Sequence, residues 1–316
     1  MNDFKAEPLE LREAMLKAAN RVLESGWYVL GNECKQFEEQ WSTVCGVGHG
    51  IGVANGMDAI EIALLGLSIG GGDEVITTPM TAFATILAII RSGAKPVLAD
   101  IDSETALLSI ESVRRSLTAN TKAVILVHLY GQVRQMDEWV NFCEENKIML
   151  IEDCAQAHQA TWQGKVAGCF GQAGAYSFYP TKNLGAVGDA GMLVTNNSTL
   201  AEKARQLRNY GQSERYLHPV VGMNSRLDEI QAVMLSERMK WLPEFTKCRR
   251  QIADTYHAKI DNPLVKHLIK PEQKSAHVYH LFVITCPQRD ALQAHLLKKG
   301  VQALIHYPVT VQQQKP

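Results

Sequence analysis

The sequence predicts an α/β fold: a mostly parallel sheet with helices on both faces, followed by a smaller α+β region toward the C-terminal end. Three observations predict it. Short β-like runs alternate with helix-period runs as far as Leu242, the pattern of parallel strands joined through crossover helices. The β-like runs are apolar at successive positions rather than at every second one, as strands are when both sheet faces are covered. Past Leu242-Pro243 this alternation gives way to a long helical stretch and isolated β-like runs.

The elements follow in order. After Pro8, apolar residues Leu11, Met15, Ala18, Ala19, Val22 and Leu23 recur at helical spacing until Gly26, a stop signal. Strands are expected at 51–54, 74–77, 96–101, 123–128 and 149–151, with helices between them at 58–67, 85–92, 110–117 and 136–146. Beyond the long helix come a β-like run at 277–285, a helix at 289–299 and a last β-like run at 301–306. The domain boundary is drawn here, giving a large domain over 1–242 and a small C-terminal domain over 243–316.

Composition narrows the function classes. The 316 residues are 46% hydrophobic, enough for a large core, and Lys plus Arg (32) nearly equals Asp plus Glu (33). No run of five like charges occurs, so nothing points to nucleic acid or an anionic membrane, and the ligand is expected to be small. Seven cysteines are scattered without a CxxC pair, as a reducing compartment permits. The polar N-terminus is unlike a signal peptide and the apolar stretch 86–90 is cut by Arg91, so a soluble cytoplasmic protein is expected.

Several motifs have a plain reading and a chemical one. The glycines of 46–52 contain no GxGxxG, Gly70-Gly71-Gly72 reads as a connector, and His277 and His280 would point to opposite faces of a strand, so no dinucleotide loop and no metal site are expected. Asn55-Gly56-Met57 follows a strand and opens a helix. Its amides form either an ordinary capped turn or an anion site. Phe83, after the next strand and its loop, is either core or a surface for stacking on a flat ring. Asp153, at the end of 149–151, is a helix cap or a catalytic carboxylate. Lys182, in Ser177-Phe178-Tyr179-Pro180-Thr181-Lys182-Asn183-Leu184-Gly185, is solvated or reactive. In α/β sheets ligands bind beyond the carboxyl ends of the strands, where these residues fall. A phosphate cradle, a stacking aromatic, an acid for a ring nitrogen and an amine for an aldehyde are together the parts of a pyridoxal-phosphate site.

The stretches SGWYVLGNE, FEEQW, CGVGHGIGVANGMDAIEIAL, GGGDEVI, EDCAQAHQA, GAYSFYPTKNLGAVGDAGML, GMNSRLDEIQA and IHYPV, spread over about residues 25–308, resemble the fold-type I sugar aminotransferases of the DegT/DnrJ/EryC1/StrS family. The resemblance implies a seven-stranded, mostly parallel sheet in the large domain and pyridoxal 5'-phosphate as cofactor. It also implies a nucleotide-linked keto-sugar as substrate, L-glutamate as amino donor, and a homodimer with shared active sites serving amino-sugar biosynthesis, for example for lipopolysaccharide O-antigen. Residue by residue, it implies Lys182 as the Schiff-base lysine, Asp153 on the pyridine nitrogen, Phe83 stacked on the ring and Gln156 near its phenolic oxygen. Gly56, Met57 and Ser177 would hold the phosphate, Asn224 would be lent to the partner's phosphate site, and Tyr28 and His306 would approach the sugar.

The stretches AQAHQA, SFYPTKNLGAVGDAG and NSRLDEIQA are most similar to enzymes of dTDP-linked 3-keto-6-deoxyhexoses. The C4-amino branch shares the same machinery. Two departures stand out: Met57 replaces a common Thr, removing one phosphate hydroxyl contact, and the sequence stops soon after IHYPV, where relatives usually continue. The rival readings are a pyridoxal-phosphate sugar dehydratase, against which Lys182 argues because that branch has His, and a non-catalytic regulatory module.

Overall fold

The computed structural model describes residues 3–314. Pro8 and the left-handed Gly26 bracket helix α1 (Leu9–Ser25), and α2 (Asn32–Cys45) leads into strand β1 (His49–Val53). There follow α3 (Gly56–Gly66), β2 (Glu74–Thr77), α4 (Phe83–Arg91), β3 (Lys95–Leu98), α5 (Ile110–Ser116) and β4 (Thr121–Val127). Next come α6 (Met136–Glu145), β5 (Met149–Asp153), a hairpin of β6 (Thr161–Trp162) and β7 (Lys165–Val166), then β8 (Ala173–Ser177) and β9 (Gly191–Thr195). Helices α7 (Ser198–Leu207), α8 (Glu229–Met239) and α9 (Leu242–Lys259) precede a two-stranded pairing of β10 (Lys266–His267) with β11 (Ile284–Thr285), and α10 (Arg289–Lys298) follows.

Seven strands form one sheet in the order β1-β9-β8-β5-β4-β2-β3. β9 runs antiparallel to both its neighbours, and the other pairings are parallel. The carboxyl ends of β1, β2, β4, β5 and β8 therefore share one edge. The sheet is mostly parallel, as expected, and β4 shows why its strands read as unbroken apolar runs. Ala123 and Ile125 pack on one side with Ile60 and Leu64 of α3, Ile89 of α4 and Leu200 of α7. Val124 and Leu126 pack on the other with Phe37 and Trp41 of α2 and Phe142 of α6. From Ala123 to Val127 both faces are buried, and each of these positions is apolar.

One expected strand is mostly lost and another is absent. Of 277–285 only Ile284–Thr285 is a strand. The segment before it is clamped to a turn instead: the Val133 amide donates to the Ala276 carbonyl at 2.8 Å and the Val278 amide to the Gly131 carbonyl at 2.9 Å. The run 301–306 has the composition of a strand and pairs with none. Its carbonyls accept from side chains, Ala303 from Gln293 Nε2 at 2.8 Å and His306 from Tyr130 Oη at 2.6 Å. No helix among the described residues is long and apolar enough to cross a membrane.

Candidate active site

β5 ends on Asp153, which is only 7% exposed. Its Oδ2 accepts from the Thr85 hydroxyl at 2.9 Å and its Oδ1 from the Ala155 amide at 3.1 Å. No cation forms an ion pair with it among the described residues. A buried carboxylate in this state calls for positive charge beside it. At the end of β1, Asn55 caps α3 by accepting the Asp58 amide on Oδ1 at 2.8 Å. Gly56, the first residue of α3, lies so close to β8 that a Cβ there would come within 2.7 Å of Ser177 Cβ. The unsatisfied first-turn amides of α3 and the Ser177 hydroxyl thus share one small region at the sheet edge, an anion cradle. Met57 is half-buried, packed against the core on the α3 side.

The loop after Ser177 carries Lys182. It stands on a buried set of rings: Trp41 meets Tyr176 and Phe178 edge-on at 5.2 and 5.5 Å, and His158 lies 5.4 Å from Phe178. The loop closes tightly, with the Lys182 amide donating to the Tyr179 carbonyl at 2.8 Å and the Ala186 amide to the Phe178 carbonyl at 2.7 Å. Gly185 cannot be replaced without displacing backbone, since a Cβ there would sit 2.3 Å from the Pro180 carbonyl oxygen. Burial pushes the Lys182 ammonium below the usual lysine range, while the Asp153 charge pulls the other way. Lys182 and Asp153 are therefore within electrostatic reach of each other, and desolvation disfavours the lysine's charged form.

Gln156 is held from two sides. Its Oε1 accepts the Tyr130 amide at 2.6 Å and its Nε2 donates to the Tyr307 hydroxyl at 3.4 Å. Tyr130 has a left-handed backbone, φ 61°, which aims its amide at Gln156. Burial, then the Asp153 charge, pushes the Tyr307 hydroxyl up to about 12. Phe83 begins α4, two residues before Thr85, with 40% of its surface open. His306 is half-buried, its pKa lowered by burial and then by Lys182. The structure thus brings Asp153, Gln156, Lys182 and His306 together, and Gly56 with Ser177 beside them.

Tyr28 and Asn224 are both exposed. The Tyr28 carbonyl accepts the Glu229 amide at 3.1 Å. Asn224 lies on the segment that returns from Asn209, with which it forms a bridge. The next residue, Ser225, takes the Ala54 amide on its hydroxyl at 3.0 Å. Thr85, Tyr130, His158, His280 and Tyr307 were not anticipated as neighbours of this site. Tyr307 and His158 stand inside quoted motifs, IHYPV and EDCAQAHQA, and were open to notice. Tyr130 reaches the site through a backbone conformation that no residue pattern announces.

Three side chains that can ligate a metal do come together, His128, Glu152 and Cys154, all buried. Glu152 is already saturated. Its Oε2 meets His128 Nε2 at 2.8 Å and the Gly168 amide at 2.7 Å, and its Oε1 accepts the Phe170 and Gly171 amides at 2.7 and 3.0 Å. This carboxylate ties β5 to the turn before β8.

The residues present fit pyridoxal phosphate. A carboxylate without a cation suits a ring nitrogen, the Gly56–Ser177 cradle suits a phosphate, and a desolvated amine suits an aldehyde.

The chain's residues 9–316 match the profile of the DegT/DnrJ/EryC1/StrS aminotransferase family. It is 41% identical to the "Pleiotropic regulatory protein" of Geobacillus stearothermophilus, over 98% of this chain and 84% of the relative. It is 43% identical to the dTDP-3-amino-3,6-dideoxy-alpha-D-galactopyranose transaminase of Aneurinibacillus thermoaerophilus, over 99% of this chain and 86% of the relative. The crystal structure of S. venezuelae DesV in complex with a ketimine intermediate superposes with a TM-score of 0.95 at 39% identity, covering 99% of this chain and 84% of that one.

Proposed function

Since the chain belongs to the DegT/DnrJ/EryC1/StrS aminotransferase family, we propose that it moves an amino group from L-glutamate to C3 of a dTDP-linked 3-keto-6-deoxyhexose. The reaction is placed in the cytoplasm, in amino-sugar biosynthesis, with two copies of the chain completing each other's sites. When bound, pyridoxal phosphate supplies an aldehyde for the donor nitrogen and a ring that draws off electrons from the adjacent carbon. The observation that carries the reading is the convergence of Lys182 and Asp153 beside the Gly56–Ser177 cradle. The name of the Aneurinibacillus relative supports the choice of nucleotide and ring position.

Each residue then has a task. The α3 amides at Gly56 and Met57 and the Ser177 hydroxyl hold the phosphate. Asp153, fixed by Thr85, keeps the ring nitrogen protonated. Phe83 covers one face of the ring, and the Gln156 side-chain amide retains one N–H for the phenolic oxygen. Lys182, its ammonium disfavoured by burial, accepts the proton from the donor's α-carbon and returns it to the cofactor side. In the second half-reaction it moves a proton in the opposite sense, which gives ping-pong kinetics. His306 lies on the side where the sugar would enter.

The dimer reading is supported by exposed apolar side chains on the segment between Asn209 and Asn224. Tyr216 is 81% and Val221 94% exposed, and Trp27 and Tyr28 are also open. Large apolar side chains left this open are characteristic of surfaces that another chain covers.

The test mixes purified, cofactor-supplied protein with glutamate and a panel of dTDP-keto-sugars, followed by mass and NMR analysis of products. A 3-amino sugar is expected from wild type, with turnover at least about a hundredfold lower in Lys182→Ala. Wild-type rates in Lys182→Ala end the reading. Loss of a sugar hydroxyl without glutamate consumption would make the chain a dehydratase, and cofactor binding with no donor turnover would favour the regulatory role carried in the Geobacillus relative's name.

A further inference from the structure

Four arginines are drawn from water far enough that burial pushes their guanidinium pKa below its ordinary value: Arg134, Arg238, Arg249 and Arg250. Three of them are compensated. Arg134 donates to Gln132 Oε1 at 3.0 Å and to the Ile269 carbonyl. Arg238 donates to the Gly185 carbonyl at 2.5 Å and pairs with Glu7. Arg250 donates to the His277 and Ser275 carbonyls at 2.9 and 3.2 Å. Arg249 has no hydrogen bond and no ion pair among the described residues. A permanently charged group, half out of water and without an acceptor, is a state that the other three avoid.

Arg249 projects from α9 into a cavity of about 240 Å³ that Lys182 and Asn183 also line. The charges of Lys182 and Arg249 both lower the pKa of His158 and His280, so the two cations lie within reach of the same pair of buried imidazoles. The acids on the cavity wall are engaged elsewhere: Glu7 with Arg238, and Asp3 with the Lys5 amide at 3.0 Å. No carboxylate of the chain answers Arg249 among the described residues.

We propose that Arg249 anchors a carboxylate of the amino donor, holding the donor in this cavity with its nitrogen toward Lys182. The assignment rests on the transamination reading above. An α-amino acid necessarily carries a carboxylate, and the planar guanidinium offers it two parallel N–H donors. The cavity is smaller than the roughly 300–1,000 Å³ that houses a drug-sized ligand, which suits an amino acid better than a nucleotide sugar. The other anion in the reaction, the nucleotide's diphosphate, is the competing occupant.

Three measurements on wild type, Arg249→Met and Arg249→Lys decide the matter: the rate of the glutamate half-reaction in the holoenzyme, and calorimetric affinities for glutarate, a dicarboxylate with no amine, and for dTDP. In Arg249→Met the KM for glutamate and the Kd for glutarate should each rise by about thirtyfold or more, with dTDP affinity unchanged. Arg249→Lys, which keeps the charge and loses the fork, should fall between the two and serves if the methionine variant does not fold. Equal glutarate affinity in wild type and both variants overturns the assignment, as does a wild type that binds no glutarate or a loss confined to dTDP. A wild-type holoenzyme that converts no amino acid removes the transamination reading and this assignment with it. A wild type that converts glutamate beside variants with unaltered donor KM removes this assignment alone.

Discussion

At the scale of single residues, buried neutral histidines set the fold's tolerance of acid. Burial lowers both His158 and His277 from 6.5 to about 3, the second opposed by its contact with the Gly131 carbonyl. Between pH 6.5 and 3 the unfolded chain takes up protons at these positions and the folded chain does not. Stability is therefore full above pH 6.5 and falls as pH drops, by about 2 kcal/mol per imidazole at pH 5. His158→Phe fits the ring set of Trp41, Tyr176 and Phe178 and removes one titrating group. Denaturant midpoints should accordingly lose less between pH 7 and pH 5 in His158→Phe than in wild type. An identical loss in the two proteins would show that this imidazole is not held neutral. Residue identity made Asp153 and Lys182 visible in the sequence, a carboxylate at a strand end and an amine in a hydroxyl-rich loop, whereas Gln156 and Ser177 came from the family resemblance alone. Tyr130 and Thr85 were invisible because nothing local marks a tyrosine in left-handed backbone or a threonine that bonds 68 positions away.

Among elements, the α3–β8 junction decides whether an anion can be seated. Gly56→Ala forces a Cβ against Ser177, and overpacking of this kind typically costs about 1–3 kcal/mol. The strand end and helix start must part to admit it. Gly56→Ala should therefore lose pyridoxal-phosphate affinity by more than it loses thermal stability, and adding Ser177→Gly should restore part of the stability but none of the lost hydroxyl contact. Parallel titrations of cofactor and heat-unfolding curves check this; unchanged affinity in Gly56→Ala would mean that the phosphate does not sit there. β1 to β5 were legible as short apolar runs between helix-period stretches, β4 most clearly, whereas β8 and β9, equally buried on both faces, went unassigned. The failures, 277–285 and 301–306, share a cause. A β-like composition becomes a strand only where an edge receives it, and both runs meet turns and side chains instead. α2 went unassigned for a related reason: its first amides, at Gly31, Glu33 and Cys34, donate to the carboxylate of Glu229 at 2.8, 2.8 and 2.9 Å, so its start signal stands on α8.

For the whole molecule, the exposed Asn224 and the apolar residues near it lead to a test of shared sites. If Asn224 serves the partner subunit, Lys182→Ala and Asn224→Asp proteins, each of low activity, should complement when their subunits are exchanged. Random exchange of equal amounts leaves about a quarter of all sites complete, since half of the dimers are mixed and each has one intact site. No recovery above the two parents would place Asn224 in its own chain's site. The Glu229 cap also bears on how the chain assembles. The carboxylate that seats α2 lies 198 positions beyond Gly31, and β1 finds its ladder partner only at Gly191–Thr195. As synthesis proceeds from the N-terminus, the first helix-strand unit of the sheet emerges with neither its anion nor its neighbour yet made. This early segment is thus among the last that can settle, and until β4, β8 and α8 follow it Phe37 and Trp41 stay in part uncovered, surface of the kind that chaperones bind.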